Sequence, residues 1–177
     1  MSDNPYASPQ ESAKLFSSTP EPGWTLNPAS QGKRFINLVV DFSLLLLVNQ
    51  AAQLGLLYVF FQMNPHVVDG FTPNEAAILN TLSFLVWISI LVGYYLVMES
   101  LFQKTIGKLL TGTQVMNAEG GPPSFKQIAG RSFARLIPFD HFSFLSALPV
   151  GWHDSLSGTR VVSTRDLDQM PPGQQYG

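Results

Sequence analysis

The sequence predicts an all-α membrane protein: two transmembrane helices, a third amphipathic segment that lies in the interface or re-enters the bilayer, and a short β-ribbon as a possible addition on the cytoplasmic side. Two observations carry this. The 177 residues are 45% hydrophobic and only 12% charged, roughly half the charge of an ordinary soluble domain. The apolar residues also gather in two long runs, about 35–61 and about 76–98, each long enough at ~1.5 Å per residue to cross a ~30 Å hydrocarbon core.

Residues 1–28 are rich in Pro, Ser, Asn and Gln without sustained apolar periodicity. Such a segment cannot offset the entropy of ordering, and it reads as a disordered cytoplasmic tail. Its opening, MSDNPYASPQESAK, lacks the basic and apolar regions of a signal peptide, and Ser2 excludes myristoylation. Residues 29–164 then form one membrane domain. The first run, FINLVVDFSLLLLVNQAAQLGLLYVFF, would be ~40 Å long as a helix, so tilt or overhang is expected. The second, AAILNTLSFLVWISILVGYYLVM, contains no charged residue. A buried helix of a soluble protein is the competing reading, disfavoured by two such runs so close together. Lys33 and Arg34 precede the first run, Lys104 and Lys108 follow the second, and the linker 62–75 has only Asp69 and Glu75 as charged residues. The positive-inside rule therefore puts both termini in the cytoplasm, with Tyr58, Tyr94 and Tyr95 near the interfaces.

The third segment, about 124–149, reads SFKQIAGRSFARLIPFDHFSFLSALP. Arg131, Arg135, Asp140 and two prolines argue against a crossing. On a helical wheel Phe125, Ile128, Ala129, Phe133 and Leu136 share one side, and Gln127, Arg131 and Arg135 the other, the pattern of a helix lying in the interface. Pro138 should end it, and the Phe-rich stretch up to Trp152 is expected in the headgroup region or re-entrant. A weak internal repeat, LTGTQVMN at 110–117 and LSGTRVVS at 156–163, suggests two similar backbones that could pair as short strands. Chance similarity is the alternative. In that alignment Lys108 falls on Asp154, which invites an ion pair between the copies. Residues 165–177 read as a flexible C-terminal tail.

A net charge of −2 offers no basic field for nucleic acid, and the absence of cysteine removes thiolate chemistry. His66 with Asp69, Asp140 with His141, and His153 with Asp154 lie close in sequence, but no HExxH, GxSxG or phosphate-cradling loop accompanies them. His153 reads as a polar residue that caps or bridges at the membrane surface rather than a metal ligand. No enzyme activity, cofactor or metal is expected. The notable residues are the charged ones near lipid. Arg34, Asn37 and Asp41 are spaced by three and four and share a helix face, with Asp41 ~10 Å beyond Arg34 along the axis. A mid-membrane Asp costs on the order of 2.5–3.5 kcal/mol, so partners or water must compensate for it.

An Arg followed by an Asp in the first span, QKTIGKLLTGTQVMNAEGG after the second, GRSFARLIPF, and GWHDSLSGTRVV near the end together resemble the RDD family over residues 29–164. The resemblance implies that the family's Arg and two Asp fall on Arg34, Asp41 and Asp154. It also implies a bacterial inner-membrane protein, and transport or cation–proton exchange has been suggested for some relatives. The family is described with three hydrophobic segments; here the third is charged and broken by proline. Two functions follow as expectations. The favoured one is an accessory, assembly or anchoring component, in which Arg34, Asp41, Asp154, Arg131 and Arg135 form a structural charge network. The alternative is an oligomeric transporter or cation/proton antiporter, with Asp41 titrating and Arg34 as its charge partner. Both need the lipid bilayer and either further copies of the chain or another membrane protein.

Overall fold

A computed structural model describes residues 28–117, 120–145 and 150–168. Helix α1, Gln31–Met63, begins where the Ser30 hydroxyl accepts the Lys33 N–H at 3.5 Å. Helix α2, Pro73–Phe102, begins at a capping box between Thr72 and Glu75, with Pro73 in the first turn. These caps satisfy N–H groups that would otherwise be orphaned, and they carry both helices past their apolar runs. A 3-10 turn, Pro65–Asp69, closes the hairpin between them. Leu45, Leu91 and Tyr95 form the buried contact between the two helices, with Trp87 packed on it. The remaining faces carry exposed Leu47, Leu54, Phe84 and Leu101. In the most apolar stretch of each helix only 11% and 6% is buried by the rest of the described chain, whereas the core helix of a soluble protein is mostly covered, and apolar surface left open on this scale suits lipid.

The other elements gather at one end of the hairpin, around the start of α1 and the end of α2. In order they are α3 (Ile106–Thr111), β1 (Thr113–Asn117), α4 (Phe125–Ala134), a 3-10 turn (Asp140–Leu145), α5 (Trp152–Ser157), β2 (Thr159–Ser163) and α6 (Thr164–Asp168). The internal repeat is real in the backbone. Each copy is a six-residue helix, a glycine at φ +62° (Gly112 and Gly158) and a five-residue strand. The two strands pair antiparallel with Val115 opposite Val161. These two residues are equivalent in the repeat, so an approximate two-fold axis passes between them. Ala29 packs on both, and its N–H donates to the Val161 carbonyl at 2.8 Å, tying the ribbon to the entry of α1.

Three expectations need correction. Lys108 and Asp154 do not pair with each other; each finds its counter-charge on a long or interfacial helix instead. The amphipathic helix ends earlier than Pro138: α4 stops at Ala134 and a turn follows, while residues 146–149 lie outside the described part. Phe125 and Phe133 face outward and Arg131 is fully buried, as an interfacial helix requires when its charged side has partners inside. Arg131, Arg135 and Asp140 of this segment are all bonded at the same end of the bundle, where α1 begins and α2 ends. Finally, residues 165–168 belong to α6 rather than a tail; the expected tails at 1–27 and 169–177 lie outside the described residues.

Candidate functional site

Where α1 begins and α2 ends, a buried ion cluster joins five elements. Glu99, in the last turn of α2, has no exposed surface. It accepts from the Lys108 ammonium of α3, from Arg131 Nε of α4 at 2.9 Å and from Arg135 Nη2 at 3.2 Å. Asp154 of α5 accepts from Arg34 Nη1 at 2.5 Å and from Arg131 Nη1. Arg131 thus bridges both carboxylates and also donates to the Thr159 hydroxyl. Arg34 completes its hydrogen bonding by donating to the carbonyls of Ala29 at 3.3 Å and Val161 at 3.2 Å. The Arg135 guanidinium lies 3.8 Å from the centre of the Tyr95 ring, a stacking geometry that favours a buried cation.

The surroundings set the charge states. Burial alone would raise the Asp154 carboxyl, but Arg34 and Arg131 outweigh it and hold the group well below the usual carboxylate range. Burial opposes the Arg131 charge, and Glu99 and Asp154 more than restore it. His153 is pushed down to about 4 by burial, with the nearby Arg135 adding to the effect, so it is neutral at pH 7. Its Nδ1 lies 2.7 Å from Asp140 Oδ2, its backbone N–H donates to Asp140 Oδ1 at 2.8 Å, and its Nε2 is 3.4 Å from Asp154.

Asp41 is different. It is 2% exposed and touches none of these cations. Oδ1 accepts from the Tyr94 hydroxyl at 2.7 Å and the Gly107 N–H at 2.8 Å, and Oδ2 accepts from the Thr105 hydroxyl at 2.5 Å. The close approach depends on Gly107, since a Cβ there would lie 2.6 Å from the Asn37 carbonyl oxygen. One turn above Asp41, the Asn37 amide sits between the hydroxyls of Thr111 at 2.5 Å and Thr113 at 3.0 Å. Asp41 opens onto a cavity of about 40 Å³ bordered also by Arg34, Asn37, Lys108, Arg135 and His153. That is room for a few water molecules beside these charged and amide groups, with Leu38, Tyr95 and Val161 completing a wall that is largely apolar.

Of the residues expected from sequence, Arg34, Asp154, Arg131 and Arg135 come together in the cluster, and Asp41 borders it. The expected Arg34–Asp41 pair does not form: Arg34 reaches back to Asp154 and the ribbon, while Asp41, two turns further along, faces α2 and α3. Glu99, Lys108, Tyr94 and Thr105 were not among the expected site residues. Glu99 had a signal, because it extends the buried stripe Leu91, Tyr95, Glu99 at helical spacing, one residue past the expected end of the span. His153 is buried between the carboxylates of Asp140 and Asp154. Among the described residues no group of three or more His, Cys, Asp or Glu is placed to hold a metal ion.

Against known proteins, the model of the RDD family matches residues 28–160. None of the curated proteins and none of the solved structures matches the chain.

Proposed function

The chain belongs to the RDD family, and on that premise we propose that this integral membrane protein is a proton-coupled transporter working as an oligomer, with Asp41 exchanging a proton for a cation. One observation carries the reading: Glu99 and Asp154 are each bound by two or more cationic side chains, whereas buried Asp41 has only neutral donors among the described residues. A carboxylate locked to guanidinium groups has no reason to change its ligand. One held by two hydroxyls and an amide can release those contacts, and the hydroxyl oxygens of Thr105 and Tyr94 can then join it as oxygen ligands of a hard cation. An ionisable group at that depth is the ordinary mark of an ion pathway, and the adjoining cavity leaves space for water beside it. Arg34 acts as a positioning residue that holds the start of α1 against Asp154, not as the partner of Asp41. Two spans cannot enclose a pathway, so further copies are needed. The polar layer, with both termini, is assigned to the cytoplasmic side of a bacterial plasma membrane on the positive-inside rule, and residues 29–164 act as one domain.

A second reading, an anchoring or assembly component, is favoured by the cluster itself. Five elements clasped through Arg34, Asp154, Arg131, Glu99 and Lys108 make a rigid platform that needs no flux. Reconstitution separates the two. Cation- and pH-gradient-driven exchange should be present in proteoliposomes of the native protein and at least tenfold slower with Asp41→Asn at matched folded incorporation. No exchange by the folded native protein would leave the platform reading.

A further inference from the structure

The lipid-facing side of α1 carries one side chain that does not suit lipid. Gln50 is exposed, and its amide has no hydrogen-bond partner among the described residues. It lies about 24 Å along the helix from Arg34 and about 20 Å from Met63, at 1.5 Å per residue, well inside a hydrocarbon core. The neighbouring amides are accounted for: Gln53 donates to Asn49 at 3.2 Å and to the Ser83 carbonyl on α2 at 3.1 Å. Gln50 has no such contact with α2, and an unpaired amide in hydrocarbon costs free energy that no described group of the same copy offsets.

Its setting specifies the missing partner. Ser43, Leu47, Gln50 and Leu54 are all exposed, with Leu47 at 71% and Leu54 at 69%. Their spacing of four, three and four residues is the seam of a left-handed helix pair, and it runs on the side of α1 opposite the buried Arg34, Asp41 and Leu45. A small residue and a polar residue in such a seam are what helices use to associate in lipid, where apolar contact alone gives little drive. We infer that α1 packs along this seam against α1 of a second copy, with Gln50 hydrogen-bonded to Gln50 of that copy. All copies insert with the same orientation, so a two-fold axis along the membrane normal brings Gln50 to its own counterpart at equal depth. An amide carries both donor and acceptor and is therefore complementary to itself. A single polar seam position also sets the register. The arrangement leaves the polar end of each copy, with its ion cluster and Asp41, on the far side of α1 from the contact.

The natural chain has no cysteine, so single cysteines report proximity cleanly. Leu47→Cys and Leu54→Cys in native-like membranes should form disulfide-linked dimers on mild oxidation, and Val48→Cys, exposed on the same helix but off the seam, should do so at least fivefold more slowly. Adding Gln50→Leu to Leu54→Cys should cut the dimer yield several-fold, and Gln50→Asn should retain most of it. Equal cross-linking at Val48, or a yield unmoved by Gln50→Leu, would overturn the inference. Cross-linking reads proximity and not flux, so its failure would leave the Asp41 reading standing, and loss of that reading would leave the dimer.

Discussion

At Glu99 one carboxylate answers three cations, and at Asp154 another answers two, with both carboxylates fully buried. Removing either charge strands buried guanidinium groups, which is far more costly than the net worth of the pair. Glu99→Gln should therefore destabilise the fold by about 3–5 kcal/mol, read as a large drop in the thermal unfolding midpoint in detergent. Asp166→Asn, at an exposed position, should change stability by less than about 0.5 kcal/mol. His153 adds a pH dependence of definite sign. Its ordinary pKa is 6.5 and burial holds it at about 4 in the folded protein, so between these values the unfolded chain binds a proton that the folded chain does not. Stability from this group is full above about pH 6.5, falls as the pH drops towards 4, and is flat below. His153→Gln should flatten that window in unfolding midpoints measured from pH 7.5 to 4; an unchanged slope would show that the imidazole is not held neutral by its surroundings.

Among the elements, the short helices show what glycine does here. α3 lies so close to α1 that Gly107 meets the Asn37 backbone directly, and this contact delivers the Gly107 N–H to Asp41. Gly107→Ala should push the helices apart and cost about 1–3 kcal/mol, with thermal unfolding and Asp41-dependent exchange both impaired. At Gly130, inside α4, an added methyl group would meet only the Ser157 Cβ, at an ordinary contact distance of 3.7 Å. Gly130→Ala should be neutral or stabilising by up to about 1 kcal/mol through helix propensity, so the two substitutions should not move the unfolding midpoint in the same direction. The repeat explains why Asp41 and Asp140 look alike locally. Each accepts an N–H at 2.8 Å from the first turn of an equivalent short helix, Gly107 of α3 and His153 of α5. The copies differ in charge at the next position, Lys108 in one and Asp154 in the other, and each has recruited an opposite partner from outside the repeat.

For the whole molecule, the layout makes a topological prediction. Asn74→Cys, beside the hairpin turn, should react with a membrane-impermeant thiol reagent from one side only. Ser124→Cys and Lys126→Cys, at the start of α4, should react only from the other side, together with Lys104→Cys. Labelling of Ser124→Cys and Asn74→Cys from the same side would mean a crossing that the ion cluster does not permit. Much of this architecture was legible in the sequence, because two apolar runs of membrane length, one with Asp41 as its single charge and the other with none, depend only on transfer of side chains to lipid, a property each residue carries with it. The repeat at 110–117 and 156–163 was legible for a similar reason: a glycine at positive φ and a β-branched run impose their own backbone. The site was legible only in part. Arg34, Arg131 and Arg135 could be singled out as charges close to lipid, and Asp154 through the resemblance to the RDD family, but which carboxylate answers which cation is settled by helices that are distant in sequence and adjacent in space. Glu99 became central, and Asp41 was left with hydroxyls and an amide instead of Arg34, because burial makes pairing obligatory while only the packed structure determines which groups are within reach.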